Sequence, residues 1–386
     1  MRRRHVTVIG AGAAGLAVVE SLAALEHPPA ILLLEARDEV ASDRTWSSWF
    51  SRAEAERLEL DVTWPRWSVH DASRDVIRSA PDVVYGCIGS RRRADVVLGR
   101  LEGIPEFSVR FGSPVRHVRA TSKGLQVIGD HGVVDTDLVL DARPRELPPE
   151  RPGDVSLEQR FRGWEIRSER PVFDPSVARL MDFRVSKAGA VHFVYVLPFD
   201  RHRALVEDTW FVPPDAAAID HEAQLRPYLA EHLDLVDFEI LRTEAGVLPM
   251  TTRVAPAPTT PGHLAIGVAG GWMRPSTGYS FRTAVRRGDA LALAFADGRA
   301  EEWKHRWPRI VSSLDRVFLR FLRDRPDLAA DAFVRLFARA DARQLVRFLE
   351  GQPDAAAIRA VVAALPARPL VAASWRCTTS AIGVRA

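Results

Sequence analysis

Apolar residues cluster in short runs at the start of the chain and recur at helical spacing toward its end. His5 to Ile9 (HVTVI) predicts a short buried strand, residues 16–25 a helix, and residues 30–34 (AILLL) a second apolar strand that ends at Glu35. Between the first strand and the helix stands Gly10-Ala11-Gly12-Ala13-Ala14-Gly15, so the three elements form a βαβ unit of the usual length. Each glycine has its own task. The first permits a tight turn, the second lets the backbone approach a pyrophosphate, and the third lets the helix pack on the strand. The helix N-terminus adds free N–H groups and a partial positive charge. Glu35 follows Gly15 by 20 residues, where an acid accepts hydrogen bonds from an adenosine ribose. The order strand, turn, helix, strand, acid therefore predicts a dinucleotide site on Gly10, Gly12, Ala14, Gly15 and Glu35.

The pattern farther along decides which dinucleotide. Residues 136–141 (TDLVLD) predict a strand that delivers Asp141-Ala142-Arg143-Pro144 at its end, and residues 263–268 (HLAIGV) predict another before Ala269-Gly270-Gly271-Trp272. Between them, residues 164–168, 180–185, 191–197 and 204–211 read as antiparallel strands, separated by turn signals at 186–189 and 198–200. Pieces of a dinucleotide domain (1–75, 106–163 and 244–300) thus bracket an antiparallel substrate domain (164–243), to which 76–105 is added. This α/β layout, a Rossmann-like domain interrupted by an inserted sheet, is that of hydroxylase-type flavoproteins, in which the sheet covers the reactive flavin ring. It favours FAD over a nicotinamide as the resident cofactor. Residues 301–386 predict a helical region, with apolar faces at Phe318/Phe321/Leu322, Phe333/Leu336/Phe337 and Leu345/Phe348/Leu349. Those faces either pack on the domain or rest on a membrane surface.

Composition narrows the class. The chain has 386 residues, 47% hydrophobic and 27% charged, which excludes disordered and fibrous readings. Its two cysteines, Cys87 and Cys377, exclude a disulfide framework and a four-cysteine zinc site, and they fit a reducing cytoplasm. The net charge is +3, yet only Lys123, Lys187 and Lys304 among the 53 basic residues are lysines. Composition bias explains most of this; an arginine-lined surface facing phosphate or anionic lipid is the sharper reading. No basic tract is interleaved with aromatics, so nucleic acid is not expected as a partner. Arg2, Arg3 and Arg4 before an apolar stretch superficially resemble a signal peptide, but the glycine spacing within that stretch is better explained by the dinucleotide turn. No run of 18 apolar residues occurs, so no transmembrane helix is expected.

The ordered motifs of the chain resemble those of the bacterial lycopene cyclase family of carotenoid flavoproteins over nearly its whole length. They are Arg44-Thr45-Trp46-Ser47-Ser48-Trp49, Leu180-Met181-Asp182-Phe183, the 193–198 segment (FVYVLP), Leu205-Val206-Glu207-Asp208-Thr209, Glu244-Ala245-Gly246-Val247-Leu248-Pro249-Met250, the 274–280 segment (RPSTGYS), Arg347-Phe348-Leu349 and Ala364-Leu365-Pro366. Two positions depart from the family. Pro144 stands where glycine is usual, which bears on the flavin loop, and Ser47-Ser48-Trp49 varies a more aromatic segment, which bears on pocket shape.

The resemblance implies a redox-neutral, proton-initiated cyclisation of the ψ-ends of lycopene, or of a related acyclic carotenoid, to β-rings. Such chemistry needs a carboxylic acid still protonated at neutral pH, which burial in an apolar pocket and a neighbouring carboxylate both favour. Glu207 matches the catalytic position. Asp208, adjacent on a strand, must face the other side of the sheet, where an arginine is the expected partner. Without the resemblance, an ion pair with an arginine would be the expected fate of Glu207 itself. By the same resemblance Arg44, Asp141, Gly270, Thr277 and Gly278 lie beside the flavin, and Trp46, Trp49, Phe183, Tyr195 and Trp272 wall the substrate. FAD acts reduced and unconsumed, with NADPH or NADH as its reductant, and no metal is expected. A lipid-borne substrate further implies a cytoplasmic enzyme held peripherally at the inner face of the membrane, with Arg320, Arg335 and Arg347 as candidate contacts. The rival readings are a flavin-dependent monooxygenase of an apolar terpenoid or carotenoid substrate and a non-catalytic flavin- or carotenoid-binding protein. One-end against two-end cyclisation, β against γ or ε product, the deprotonating base and the oligomer stay open.

Overall fold

The structure is a computed structural model that describes residues 4–130, 132–185 and 189–381, the side chains of 378–381 aside. Arg2, Arg3, Lys187 and most of the turn expected at 186–189 lie outside the described residues. The βαβ unit forms as expected: strand His5–Ile9, helix Ala13–Ala23 and strand Ala30–Leu34. It is the centre of a parallel sheet in which Leu138–Asp141 lies on one side of His5–Ile9, with His263–Ala265 beyond it, and Phe107–Arg110 adds outside Ala30–Leu34. Period-two alternation divides its side chains. Val6, Val8, Leu138 and Leu140 pack on helices Ala13–Ala23, Ser90–Leu101 and Phe281–Ala296, while Ile9, Leu34 and Val139 pack on an antiparallel meander of Val115–Thr121, Gly124–Gly129 and Gly132–Thr136. A Cβ at Gly288 would stand 2.9 Å from the Ala17 carbonyl oxygen, so glycine lets the first and last of those helices touch.

The second body is a seven-stranded sheet in the order Glu239–Thr251, Ser156–Arg167, Arg203–Val212, Val191–Pro198, Val177–Asp182, Arg66–His70, Asp75–Arg78. Its neighbours are antiparallel except Arg66–His70 against Val177–Asp182. Pairing moves the expected boundaries. Strand Arg66–His70 joins this sheet rather than the dinucleotide part, and Ser156–Arg167 and Glu239–Thr251 run past 164 and 243 because each strand pairs along its full length. The expected substrate segment 76–105 divides, since helix Ser90–Leu101 buries Ala94, Val97 and Leu101 against the dinucleotide core. A small antiparallel sheet of Thr45–Ser51, Val83–Gly89 and Val62–Trp64 contributes residues to both cores.

One face of the large sheet packs Trp164, Val194, Val196, Ala204 and Val206 against Leu225, Tyr228 and Leu229 of helix Glu222–Leu233. On the other face the C-terminal helices bury Phe321, Phe333, Leu336, Leu345 and Phe348 with Phe183, Phe193 and Leu205. The amphipathic faces of that region are therefore covered by the protein's own sheet, and the membrane-resting reading of them is corrected. Among the described residues no single helix is long and apolar enough to cross a membrane. The pair Ala355–Ala364 and Ala367–Cys377 meets that test only together, bent by 112°.

Candidate active site

A cavity of about 840 Å³ runs from the glycine turn to the large sheet. At its first end Gly10 adopts φ +98°, a conformation that side chains disfavour, and a Cβ on Gly15 would stand 1.9 Å from the Gly10 oxygen. Nothing lies within 4 Å of the position a Cβ would take on Gly12, so the space over the second glycine is clear. Gly12 caps helix Ala13–Ala23 with no side-chain hydrogen bond, which leaves its first-turn amides unclaimed by any capping side chain. Glu35 is buried and braces the turn, accepting from the Ala11 amide at 2.7 Å and the Arg37 amide at 3.1 Å. A second helix, Phe281–Ala296, also starts without a side-chain cap, directly after the cavity-lining residues Thr277, Gly278 and Ser280. Arg44 lines the same cavity, and so do Arg37, Arg143 and Arg145, which sequence reasoning did not single out. Two uncapped helix starts and the clear space over Gly12, with arginines among the lining residues, fit a dinucleotide pyrophosphate.

Asp141 and Gly270 are not part of that lining. Asp141 is turned into the protein, where Arg143 donates to it at 2.7 and 2.9 Å and His263 Nε2 lies 3.0 Å away. Burial alone would raise its carboxyl, but these partners outweigh burial and hold it well below the carboxylate range. It holds Arg143, a residue of the cavity lining. At Gly270 a Cβ would stand 2.5 Å from the Ala265 oxygen, so this glycine serves the turn, and Gly267, Val268 and Ala269 face the cavity instead.

The far end is built by strand register. Glu207 lies opposite Gly163 on one neighbour and opposite Tyr195 on the other, and Gly163 lies opposite Glu244. Directly opposed residues share a face, so Glu244, Gly163, Glu207 and Tyr195 form one row across four strands. Both carboxyls and Tyr195 line the cavity. Glu207 is 9% exposed and accepts a hydrogen bond from Thr209 Oγ1 at 2.9 Å. Burial, then the Glu244 carboxylate, push its carboxyl well above its ordinary range; the Thr209 hydroxyl opposes them, and Asp208 adds to them. Glu244 accepts from Arg242 Nη1 at 2.6 Å and from Thr45 Oγ1 at 2.7 Å. Arg242 in turn donates to Thr45 Oγ1 at 2.9 Å and to Glu165 at 3.0 Å.

Asp208 faces the opposite side of the sheet, as alternation requires. Its partners are His192 Nε2 at 2.6 Å, His221 Nδ1 at 2.7 Å and the Trp210 indole at 2.8 Å, not the expected arginine. Burial favours its neutral form, yet these bonds prevail and hold it below its usual value.

Of the expected substrate wall, Trp46, Tyr195 and Trp272 line the cavity, and Trp46 stacks on Phe281 with centroids 5.6 Å apart. Trp49 and Phe183 do not. Trp49 is three residues beyond Trp46 on one strand, hence on its other face, where it packs against Trp67, Tyr85 and Tyr279. Phe183 lies under the helical layer, between Phe193 and Phe333. In their place Phe161, Leu197, Leu205 and Leu248 supply apolar wall, with the Tyr85 and Tyr279 phenols, both raised by burial. Glu244 and Tyr279 sat inside motifs already noted; Tyr85 and Gly163 carried no motif signal.

Comparison with known proteins agrees with this geometry. The family model described as "Lycopene cyclase protein" matches residues 5–373. The chain is 28% identical over 301 residues to a lycopene beta-cyclase of Paracoccus sp., covering 74% of this chain and 72% of that one. It is 30% identical over 298 residues to a lycopene beta-cyclase of Pantoea ananas, covering 74% and 73%. Among solved structures, a geranylgeranyl bacteriochlorophyll reductase-like protein from Thermoplasma acidophilum superposes with a TM-score of 0.63 at 15% identity, covering 97% of this chain and 99% of that one. A Klebsiella pneumoniae HpxO variant complexed with FAD gives 0.60 at 15% identity, with 90% and 99% covered. The structural likenesses establish that this chain shares the fold of those proteins. With the match extending through almost every element described above, the chain belongs to the lycopene cyclase family.

Proposed function

We propose that this protein cyclises the ψ-end groups of lycopene, or of a related acyclic carotenoid, to β-rings, with no net oxidation. The observation that carries the reading is the buried Glu207 carboxyl, pushed well above its ordinary range by burial and then by Glu244, facing a largely apolar cavity continuous with the glycine turn. Glu207 donates its proton to C2 of the terminal double bond; the O–H bond breaks as C2–H forms. The cation at C1 is attacked by the C5–C6 double bond, and loss of the C6 proton restores that double bond inside the ring. One proton enters and one leaves, so the product is an isomer of the substrate. The walls of Phe161, Leu197, Leu205 and Leu248 exclude water that would otherwise capture the cation, and Tyr195, Trp46 and Trp272 offer it aromatic faces.

Gly10, Gly12, Ala14, Glu35, Arg44, Thr277 and Gly278 would hold FAD, with the amides of both helix starts turned to its negative groups. When reduced, the flavin supplies negative charge beside the cation and is not consumed, NADPH or NADH serving only to reduce it. A substrate dissolved in lipid implies peripheral association with the cytoplasmic face of the membrane. The cavity rim suits that contact better than the C-terminal arginines. Val247, Val254 and Val268 are exposed at or beside it, whereas Arg320, Arg335 and Arg347 pair with Asp324, Asp331 and Asp354.

Expression in a lycopene-accumulating bacterial host, followed by pigment chromatography, tests the reading. Conversion to cyclic carotenoid that is lost in Glu207→Gln supports it. An untouched lycopene peak beside bound, reducible flavin refutes it, and NADPH consumption coupled to product moves the assignment to an oxygenase.

A further inference from the structure

We propose that Glu244 is the positioning residue of the acid: a fixed carboxylate, seated across Gly163 from Glu207, that keeps the proton on Glu207 until the olefin arrives. The proposal rests on the reading of Glu207 as the acid and names a partner for it.

Register brings the two carboxyls together. They stand on strands that are not neighbours, each opposite Gly163 of the strand between them, on the same face. With any larger residue in the middle, its side chain would fill the gap. A Cβ on Gly163 would lie 3.1 Å from Glu244 Cγ, 3.0 Å from Leu205 Cδ1 and 3.5 Å from Glu207 Cβ. The missing side chain is thus the space across which the carboxyls meet.

The pair is asymmetric. Glu244 receives two hydrogen bonds on one oxygen, from the Arg242 guanidinium and from Thr45 Oγ1, and Arg242 is itself held by Glu165. Glu207 has the neutral Thr209 hydroxyl and the Glu244 carboxyl as its partners. Two adjoining carboxyls in a dry site do not both ionise; one proton stays between them. The guanidinium decides which, leaving charge on Glu244 and the proton on Glu207. The other titratable groups around Glu207 do not reverse this. Tyr195 and Tyr85 are phenols held neutral by burial, and Asp208 acts from the far face, engaged with His192 and His221.

The Thr45 bond has a second consequence. Thr45 lines the cavity directly after Arg44, one of the residues expected to hold the cofactor. The acid pair is therefore tied to that end by the Thr45–Glu244–Arg242 triangle.

The test compares Glu244→Gln, Glu244→Asp and Gly163→Ala with the unchanged protein in two measurements. The first is the pH dependence of lycopene cyclisation by flavin-loaded, reduced enzyme. The second is an infrared titration of the protonated carboxyl band in oxidised, flavin-loaded protein without lycopene, the band being assigned by its absence in Glu207→Gln. In Glu244→Gln the alkaline limb and the loss of the band both move to lower pH by about one unit or more, so the rate falls about tenfold on the alkaline side of the limb and is kept on its acid side. Glu244→Asp keeps the limb near its original position. Gly163→Ala, which retains both carboxyls but parts them, moves limb and band as Glu244→Gln does and decides the question if that variant does not fold. A uniform loss of rate with limb and band unmoved overturns the proposal and leaves Glu244 a structural residue. Should the unchanged protein leave lycopene intact while the band still shifts, the cyclase reading fails and the carboxyl pair stands.

Discussion

Replacing Glu207 by glutamine should abolish activity and, at neutral pH, make the protein more stable. In the folded chain burial, and then the Glu244 charge, push the Glu207 carboxyl well above its ordinary range. In the unfolded chain it ionises near the ordinary value of about 4.3. Below that value both states are protonated and the residue has no pH-linked effect. As pH rises above it, the unfolded chain loses the proton while the folded chain keeps it, so Glu207 costs stability until its folded value is reached. If the folded value lies above 7, the gap at pH 7 from the unfolded value is nearly three pH units, which sets a ceiling of about 4 kcal/mol on that cost. The amide relieves it without a new orphan. Its carbonyl can accept from Thr209 Oγ1, as Glu207 Oε1 does at 2.9 Å, and its NH₂ can donate to Glu244. For a chain of 386 residues a change of 1 kcal/mol moves the melting temperature by about 1 °C, so the full ceiling corresponds to about 4–5 °C. Thermal melts of both proteins at pH 4 and pH 7.5 check this. The variant should match the parent at pH 4 and exceed it at pH 7.5. A variant no more stable at pH 7.5 than at pH 4, relative to the parent, would show that Glu207 is ionised in the folded protein and would remove the acid from the mechanism.

Other substitutions probe the remaining parts of the site. Gly15→Ala sets a methyl 1.9 Å from the Gly10 oxygen, so the purified protein should lose its flavin absorbance; full flavin retention would count against the turn as the cofactor cradle. Asp208→Ala strips an acceptor from His192, His221 and Trp210 and should destabilise by about 3 kcal/mol in urea unfolding. Because the Asp208 carboxyl is held below its usual value, that difference should be full above about pH 4 and shrink as pH falls further. Folded Asp208→Ala should still cyclise, since the side chain faces away from the cavity.

Local pattern disclosed the parts of this fold that local constraints build. The glycine turn was readable because Gly10 needs a positive φ and Gly15 has no room for a methyl, and both demands come from residues nearby in sequence. Alternation likewise set Glu207 and Asp208 on opposite faces before any coordinates. The same alternation, applied to Trp46 and Trp49, would have separated them too; grouping both as substrate wall ignored their odd spacing. Asp141 is engaged both locally, by Arg143 two residues on, and from His263, 122 residues away, and no local rule announces the second partner, on a neighbouring strand. The C-terminal helices show the same limit, since an apolar stripe states that something covers it and not what.

The acid pair marks where sequence reading stops and what could have extended it. Glu207 and Glu244 lie on separate motifs, and nothing in either motif brings them together. What joins them is the register of the strand between, in which Gly163 meets both. Yet Gly163 left a trace. It lies inside the 12-residue strand Ser156–Arg167, where glycine weakens a strand and gives no side chain to pack. An interior strand glycine usually marks close approach by something else. Here that something is the side chains on either side of it, two carboxyls whose approach adds to burial in favouring the protonated form of Glu207. The glycine thus belongs to the acid pair, because the Glu244 charge that adds to burial at Glu207 acts through the space a side chain there would have filled.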